Sequence, residues 1–292
     1  MIQIGNKEVD SITIGGKEVQ TITIGGKVAY EKQQQINDNY FYIQNTTNGS
    51  GTISFATKGS SPVQGKYAES VEYSSDKSVW TTVNFTAGQT QTVSIPANGK
   101  LYFRNDTGVF NDSSCRTEIT CDVNHNVGGD VSTLLDYRLS TAPVVERCFW
   151  CLFSDNTNLI NSSDLELPAT TLDRYCYSSM FSGCTNMTSV PELPATTLAR
   201  ACYYSMFRNC HYITKAPELP ATSLAQDCYY NMFYECTRLN EITIYANSAN
   251  TGQLYNWLYN VYSTGDFYNF GSATYETGNS GIPSGWTEHT SL

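Results

Sequence analysis

Charge is scarce in this 292-residue sequence, and basic charge most of all: 17 Lys and Arg stand against 27 Asp and Glu, for a formal net charge of -10. No Lys/Arg cluster occurs anywhere in the chain. A phosphate backbone requires concentrated positive charge, so nucleic acid is excluded as an expected partner. Long apolar runs are also absent. No stretch approaches the roughly 20 residues that span a bilayer, and no membrane insertion is expected. The start, "MIQIGNKEVDSITIGG", carries neither a basic n-region nor an apolar core, so it does not read as a secretory signal. Histidine is limited to His125, His211 and His289, in unrelated contexts. No nucleophile elbow and no His-Glu-x-x-His motif is present, and the scattered carboxylates single out no acid–base pair. The reading is therefore of a chain that is not an enzyme, with no catalytic, cofactor-binding or metal residues assigned and no cofactor. Asn, Thr, Ser, Gly and Tyr are plentiful, which suits extended strands joined by polar turns.

Three kinds of sequence follow one another. Residues 1–31 are a decapeptide repeat, "IQIGNKEVDS", "ITIGGKEVQT" and "ITIGGKVAYE". Each pairs an Ile-x-Ile segment (Ile2 and Ile4, Ile12 and Ile14, Ile22 and Ile24) with a Gly-Asn or Gly-Gly turn, the signature of a tight hairpin. Hairpins this small are marginal in water. An anchoring arm completed by a partner, or by copies of itself in a homo-oligomer, is expected; a leader packed on the next domain is the plainer alternative. Residues 36–110 alternate apolar and polar positions between Gly, Asn and Ser turns. "VEYSSDKSVWTTV" is one hairpin, and the region reads as an antiparallel β-sandwich. Residues 111–140 are less regular and read as a connector or first cap, with "NVGGDV" as a turn.

From residue 141 to 247 the sequence repeats. "ELPATTLDRYC", "ELPATTLARAC" and "ELPATSLAQDC" begin at Glu166, Glu192 and Glu218, a period of 26, and a looser copy precedes them around Cys148. Periods in the twenties point to a solenoid whose units bury their apolar face only by stacking. Within a copy, "TTLARACYYSMFRNC" is expected to be helical, with "HYITKAP" as the strand. At about 100° per residue the apolar positions fill one half of such a helix. The repeat core is then Leu172, Cys176, Phe181 and Cys184; Leu198, Cys202, Phe207 and Cys210; and Leu224, Cys228, Phe233 and Cys236. The paired cysteines read first as small buried hydrophobes. Disulfides between stacked coils, or a zinc site from Cys115, Cys121, Cys148 and Cys151, are the less favoured readings. Tyr204 and Tyr230 fall at the edge of the buried arc. They are candidate contacts for a glycan or receptor, or else a cover for the repeat flank. Residues 248–292 read as a C-terminal cap.

The repeats resemble a known family. "MFSGCTNMTSVPELPATTL" and "MFYECTRLNEITIYA" are similar to BspA-type leucine-rich repeats, with their Phe-x-x-Cys-x-x-Leu units. With the tail "NWLYNVYSTGDF" they are similar to proteins of gut Bacteroides and of crAss-like bacteriophages. The sandwich region more loosely resembles immunoglobulin-like or BACON-like modules. The fold expected is mainly β with an α/β solenoid: a hairpin arm, a sandwich, and about four leucine-rich-repeat coils with a cap. The function implied is that of a virion structural protein, a head fibre, capsid decoration or tail-fibre-like element. Its arm would dock on other virion proteins and its repeats would meet a host-surface glycan. A bacterial cell-surface adhesin is the alternative, and a glycan-active enzyme a distant third.

Overall fold

A computed structural model describes residues 38–59, 68–107, 110–111, 115–139 and 144–290, with the backbone of strand segments within residues 2–31. The chain is mainly β, in several sheets, none closed. Three antiparallel strand pairs come first: β1 (Ile2–Ile4) with β2 (Lys7–Val9), β3 (Thr13–Ile14) with β4 (Lys17–Glu18), and β5 (Thr21–Ile24) with β6 (Lys27–Glu31). Each decapeptide thus makes one antiparallel pair. The side chains of Ile2, Ile4, Ile12, Ile14, Ile22 and Ile24, expected to anchor the arm, lie outside the described residues.

Two facing sheets follow, from β7 (Phe41–Asn45), β8 (Gly51–Gly59), β9 (Ser70–Ser74), β10 (Thr81–Asn84), β11 (Thr90–Ile95), β12 (Lys100–Arg104), β13 (Cys115–Cys121), β14 (His125–Asp130) and, after α1 (Thr133–Asp136), β15 (Leu159–Glu166). The larger sheet has the order β10-β9-β12-β7-β14-β15 and the smaller β11-β8-β13. Period-two alternation explains the packing, since Phe41, Ile43, Ile53, Phe55, Leu101 and Phe103 all point inward. Phe55 meets Phe103 edge-on across the sheets, with ring centroids 5.6 Å apart. Full burial of each such ring stabilises the fold by about 1.5–3 kcal/mol.

Residues 115–130, expected within a connector or first cap, form two sheet strands. β13 pairs with β8 along its whole length, and β14 lies between β7 and β15. The Gly128-Gly129 pair is not a free turn but part of β14. A Cβ at Gly128 would strike the hydroxyl end of the Tyr42 side chain, so glycine lets that tyrosine lie across the strand. Because β14 pairs in parallel with β15, the sheet leads directly into the repeats, and Phe41 packs on Phe153 at 5.8 Å. One core is continuous from sheets to repeats.

The helical expectation for the repeats is corrected by the structure. The N–H groups of Tyr175, Tyr177, Ser179, Phe181 and Gly183 donate to Arg200, Cys202, Tyr204, Met206 and Arg208, in the next repeat, at 2.8–3.2 Å. The residues between them, Cys176, Ser178, Met180, Ser182 and Cys184, donate three residues back at 3.1–3.4 Å. An α-helix would satisfy all of these groups internally and leave none for its neighbour. The segment is instead a ribbon of consecutive turns, reset every fourth residue by a positive φ: 55° at Tyr175, 54° at Ser179 and 79° at Gly183. The same phase recurs at Ala201, Ser205 and Asn209, at Asp227, Asn231 and Glu235, and at Asn256 and Asn260. The left-handed conformation costs a non-glycine residue about 1–2 kcal/mol, and the hydrogen bonds to the next repeat hold it in place.

The strand expected in "HYITKAP" is reduced to a single parallel bridge, Lys215 to Glu241. Longer pairing returns only at β16 (Glu241–Ile244), which joins β17 (Gly265–Asn269) and β18 (Trp286–His289) in parallel. Between them α2 (Thr251–Leu254) carries a reciprocal cap from Asn250 and Gln253. The C-terminal region continues the same pattern of hydrogen bonds: Asn231, Phe233 and Glu235 donate to Tyr255, Trp257 and Tyr259.

Candidate contact face

Period-four turns give each repeat an inner and an outer side. Inward, aromatic rings stack in parallel rows. Phe153, Phe181, Phe207 and Phe233 lie 5.4–5.6 Å apart, and Phe149, Tyr177, Tyr203, Tyr229 and Trp257 lie 5.8–6.4 Å apart. The cysteines form rows beside them. Cys176, Cys184, Cys202, Cys210, Cys228 and Cys236 are fully buried, as are Phe181, Phe207 and Phe233. Leu172 and Leu224 are buried, whereas Leu198 is only half-buried and packs at the margin.

The thiols have a task beyond filling space. The Sγ–H groups of Cys184, Cys210 and Cys236 donate to the carbonyls of Phe153, Phe181 and Phe207 in the preceding repeat, at 3.1, 3.2 and 3.0 Å. Burial pushes the Cys148 and Cys202 thiols up to about 12 and the others of the repeat upward as well, so the protonated donor form is held. All nine described cysteines are free and buried. Cys121, Cys148 and Cys151 are among them, and the side chain of Cys115 lies outside the described residues. Among the described residues no three His, Cys, Asp or Glu converge to hold a metal.

Asn156, which stands where later repeats have cysteine, marks the join to the sheets. Its Nδ2 donates to the Ile119 carbonyl (3.2 Å) and to His125 Nε2 (3.0 Å). His125 Nδ1 faces the Val123 carbonyl at 2.9 Å, which fixes the proton on that nitrogen. Burial lowers His125 to about 4 and keeps it neutral.

Outward, Tyr204, Tyr230 and Tyr255 form a third row, 4.8 Å between successive centroids, with rings 13° and 27° from parallel. Beside it Tyr259 stacks on Tyr234 at 4.7 Å, and the Arg208 guanidinium lies over Tyr234 at 5.0 Å. The two expected contact residues are thus brought together, but their ring faces are spent largely on one another. Tyr204 and Tyr230 are half-buried, whereas Tyr255 is 45% exposed. Tyr255 escapes a strict 26-residue comparison because it follows Tyr230 by 25. The recurring Tyr-Asn pair at 230–231, 255–256 and 259–260, with each Asn left-handed, is the signal that marks it.

Charged groups along this row have local partners. Arg200 pairs with Asp227 at 3.2 Å, and Asn260 donates to Glu235 at 2.6 Å. Hollows lie elsewhere on the repeats. A groove of about 710 Å³ runs between residues 188–194 and 214–220, walled by Pro191, Pro194, Pro217 and Pro220. A polar hollow of about 600 Å³ lies at the C-terminal end, among Ala249, Asn250, Thr251, Leu254 and Asn256 and residues 274–281. No described helix is long and apolar enough to cross a membrane. No family model, no curated protein and no solved structure matches this chain.

Proposed function

We propose that the chain is a non-enzymatic structural protein of a bacteriophage particle, a head fibre, decoration or tail-fibre-like element. In this reading the hairpin arm docks on other virion proteins, the facing sheets are an immunoglobulin-like spacer, and the repeats are a BspA-type leucine-rich-repeat solenoid that meets a host-surface glycan. The observation that carries it is the outward tyrosine row on a core of hydrogen-bonding thiols. Such a core favours folding where thiols stay reduced, the compartment in which virions are assembled, and such a face offers regular aromatic contact area. The arm adds support. Strands of 2–5 residues in separate antiparallel pairs are marginal alone, so an assembly partner, or other copies in a homo-oligomer, is the natural completion.

The same face would serve a bacterial cell-surface adhesin, and location separates the two. Removing residues 1–31 is expected to abolish incorporation into particles while leaving the thermal unfolding of the remainder unchanged. Truncated protein that still assembles would sink the anchoring role.

A further inference from the structure

We propose that the sugar seat is the C-terminal end of the tyrosine row, Tyr255 with the polar hollow beside it, and that it takes a neutral sugar ring. The inference rests on the adhesive reading above and assigns it a place. Ring stacking decides where a ligand can sit. A sugar ring packs its C–H face against an aromatic face, not an edge. Tyr230 has a ring 4.8 Å away on each side, so both of its faces are covered. Tyr255 has Tyr230 on one face only, and among the described residues no ring stacks on the other. It is also the most exposed member of the row.

The hollow adjoins this edge through the chain neighbours of Tyr255, whose own side chain is not part of its lining. Leu254 and Asn256, the chain neighbours of Tyr255, line it together with Asn250, Glu276, Asn279 and Ser280. The cap is tied to this edge, because the Asn256 N–H donates to Ser280 Oγ at 3.1 Å and the Leu258 N–H to the Asn279 carbonyl at 3.3 Å. Amide and hydroxyl groups of this kind both donate and accept, which matches the hydroxyls of a sugar. The volume, about 600 Å³, lies in the range of small-ligand sites. Charge selects among sugars: the lining has one carboxylate, Glu276, and no Lys or Arg. A carboxylate accepts from neighbouring hydroxyls but repels an acidic sugar, so neutral rings are favoured over anionic ones.

The test uses the full-length protein and saturation-transfer NMR. The probes are methyl glycosides of glucose, galactose, mannose and N-acetylglucosamine, with N-acetylneuraminic acid as the anionic control. At least one neutral glycoside is expected to bind and the anionic sugar is not. Tyr255→Ala should weaken binding about tenfold or more, Tyr255→Phe should retain it, and Tyr204→Ala should change it less than about twofold. Thermal unfolding of each variant separates lost contact from lost fold. Binding that survives Tyr255→Ala but falls with Tyr204→Ala would overturn the seat and leave the adhesive reading standing. If no neutral glycoside binds the wild type, the sugar seat is refuted, while incorporation into particles remains a separate and independent observation.

Discussion

Replacing Phe207 by leucine should cost more than the same change at Phe233, and the difference measures what a stacked ring contributes. Both side chains are fully buried. Phe207 has a parallel ring 5.6 Å away on each side, Phe181 and Phe233, whereas the row ends at Phe233, which has Phe207 alone. Loss of ring volume to leucine costs about 1–2 kcal/mol at either site. Each lost ring pair adds about 0.5–1.5 kcal/mol. Phe207→Leu should therefore destabilise by about 2–5 kcal/mol and Phe233→Leu by about 1.5–3.5 kcal/mol. Urea unfolding followed by tryptophan fluorescence is the assay. Trp257 is fully buried at the end of the neighbouring row, 6.4 Å from Tyr229, and reports on the stack. An unchanged m-value in both variants validates the comparison. Equal costs, or a larger cost at Phe233, would refute the claim that ring rows couple one repeat to the next.

Three further outcomes follow from the same packing. His125 is held neutral with its pKa lowered to about 4, against an ordinary value of about 6.5. Its contribution is complete above pH 6.5 and is lost as pH falls toward 4, about 3 kcal/mol in all; His125→Gln should flatten that limb of the stability–pH curve. Ser205 has φ 53° and a buried hydroxyl without a partner. Ser205→Gly removes both costs against the greater chain entropy of glycine, for a net gain of about 1 kcal/mol, read as a raised urea midpoint. Iodoacetamide should leave the nine described thiols unlabelled in the native protein and label them on unfolding; peptide mass spectrometry reads this, and rapid native labelling of Cys202 or Cys210 would contradict their buried, protonated state.

Much of the repeat region was legible because periods of 3.6 and 4.0 place the same residues inward over a short span. Cys202, Tyr203, Met206, Phe207 and Cys210 face the core in either conformation, so their burial could be read while their backbone could not. What separates the two is where the N–H groups go, and hydrogen bonds to a residue 25 positions on leave little trace in local pattern. The trace they do leave is the recurrence of Asn, Asp, Ser and Gly at the left-handed positions, as at Asp155, Gly183, Asn209 and Asn260. Residues 115–130 were obscured for a different reason. Gly128-Gly129 carries the composition of a turn, and long-range contacts explain glycine within a strand: the Tyr42 side chain lies over Gly128, and Gly129, at φ 75°, sits against the Tyr40 backbone. Of the contact face, Tyr204 and Tyr230 were visible from the repeat. Tyr255 was hidden by a one-residue change in period, and the covering of ring faces by one another is a property of stacking distance alone.

The most direct test of the central claim is mass spectrometry of particles purified from lysates of the cells that make this protein. The account predicts its peptides in the particles, in multiple copies, and their retention through washing at high salt. Peptides confined to the cell-envelope fraction, and absent from particles, would contradict it and favour the bacterial adhesin.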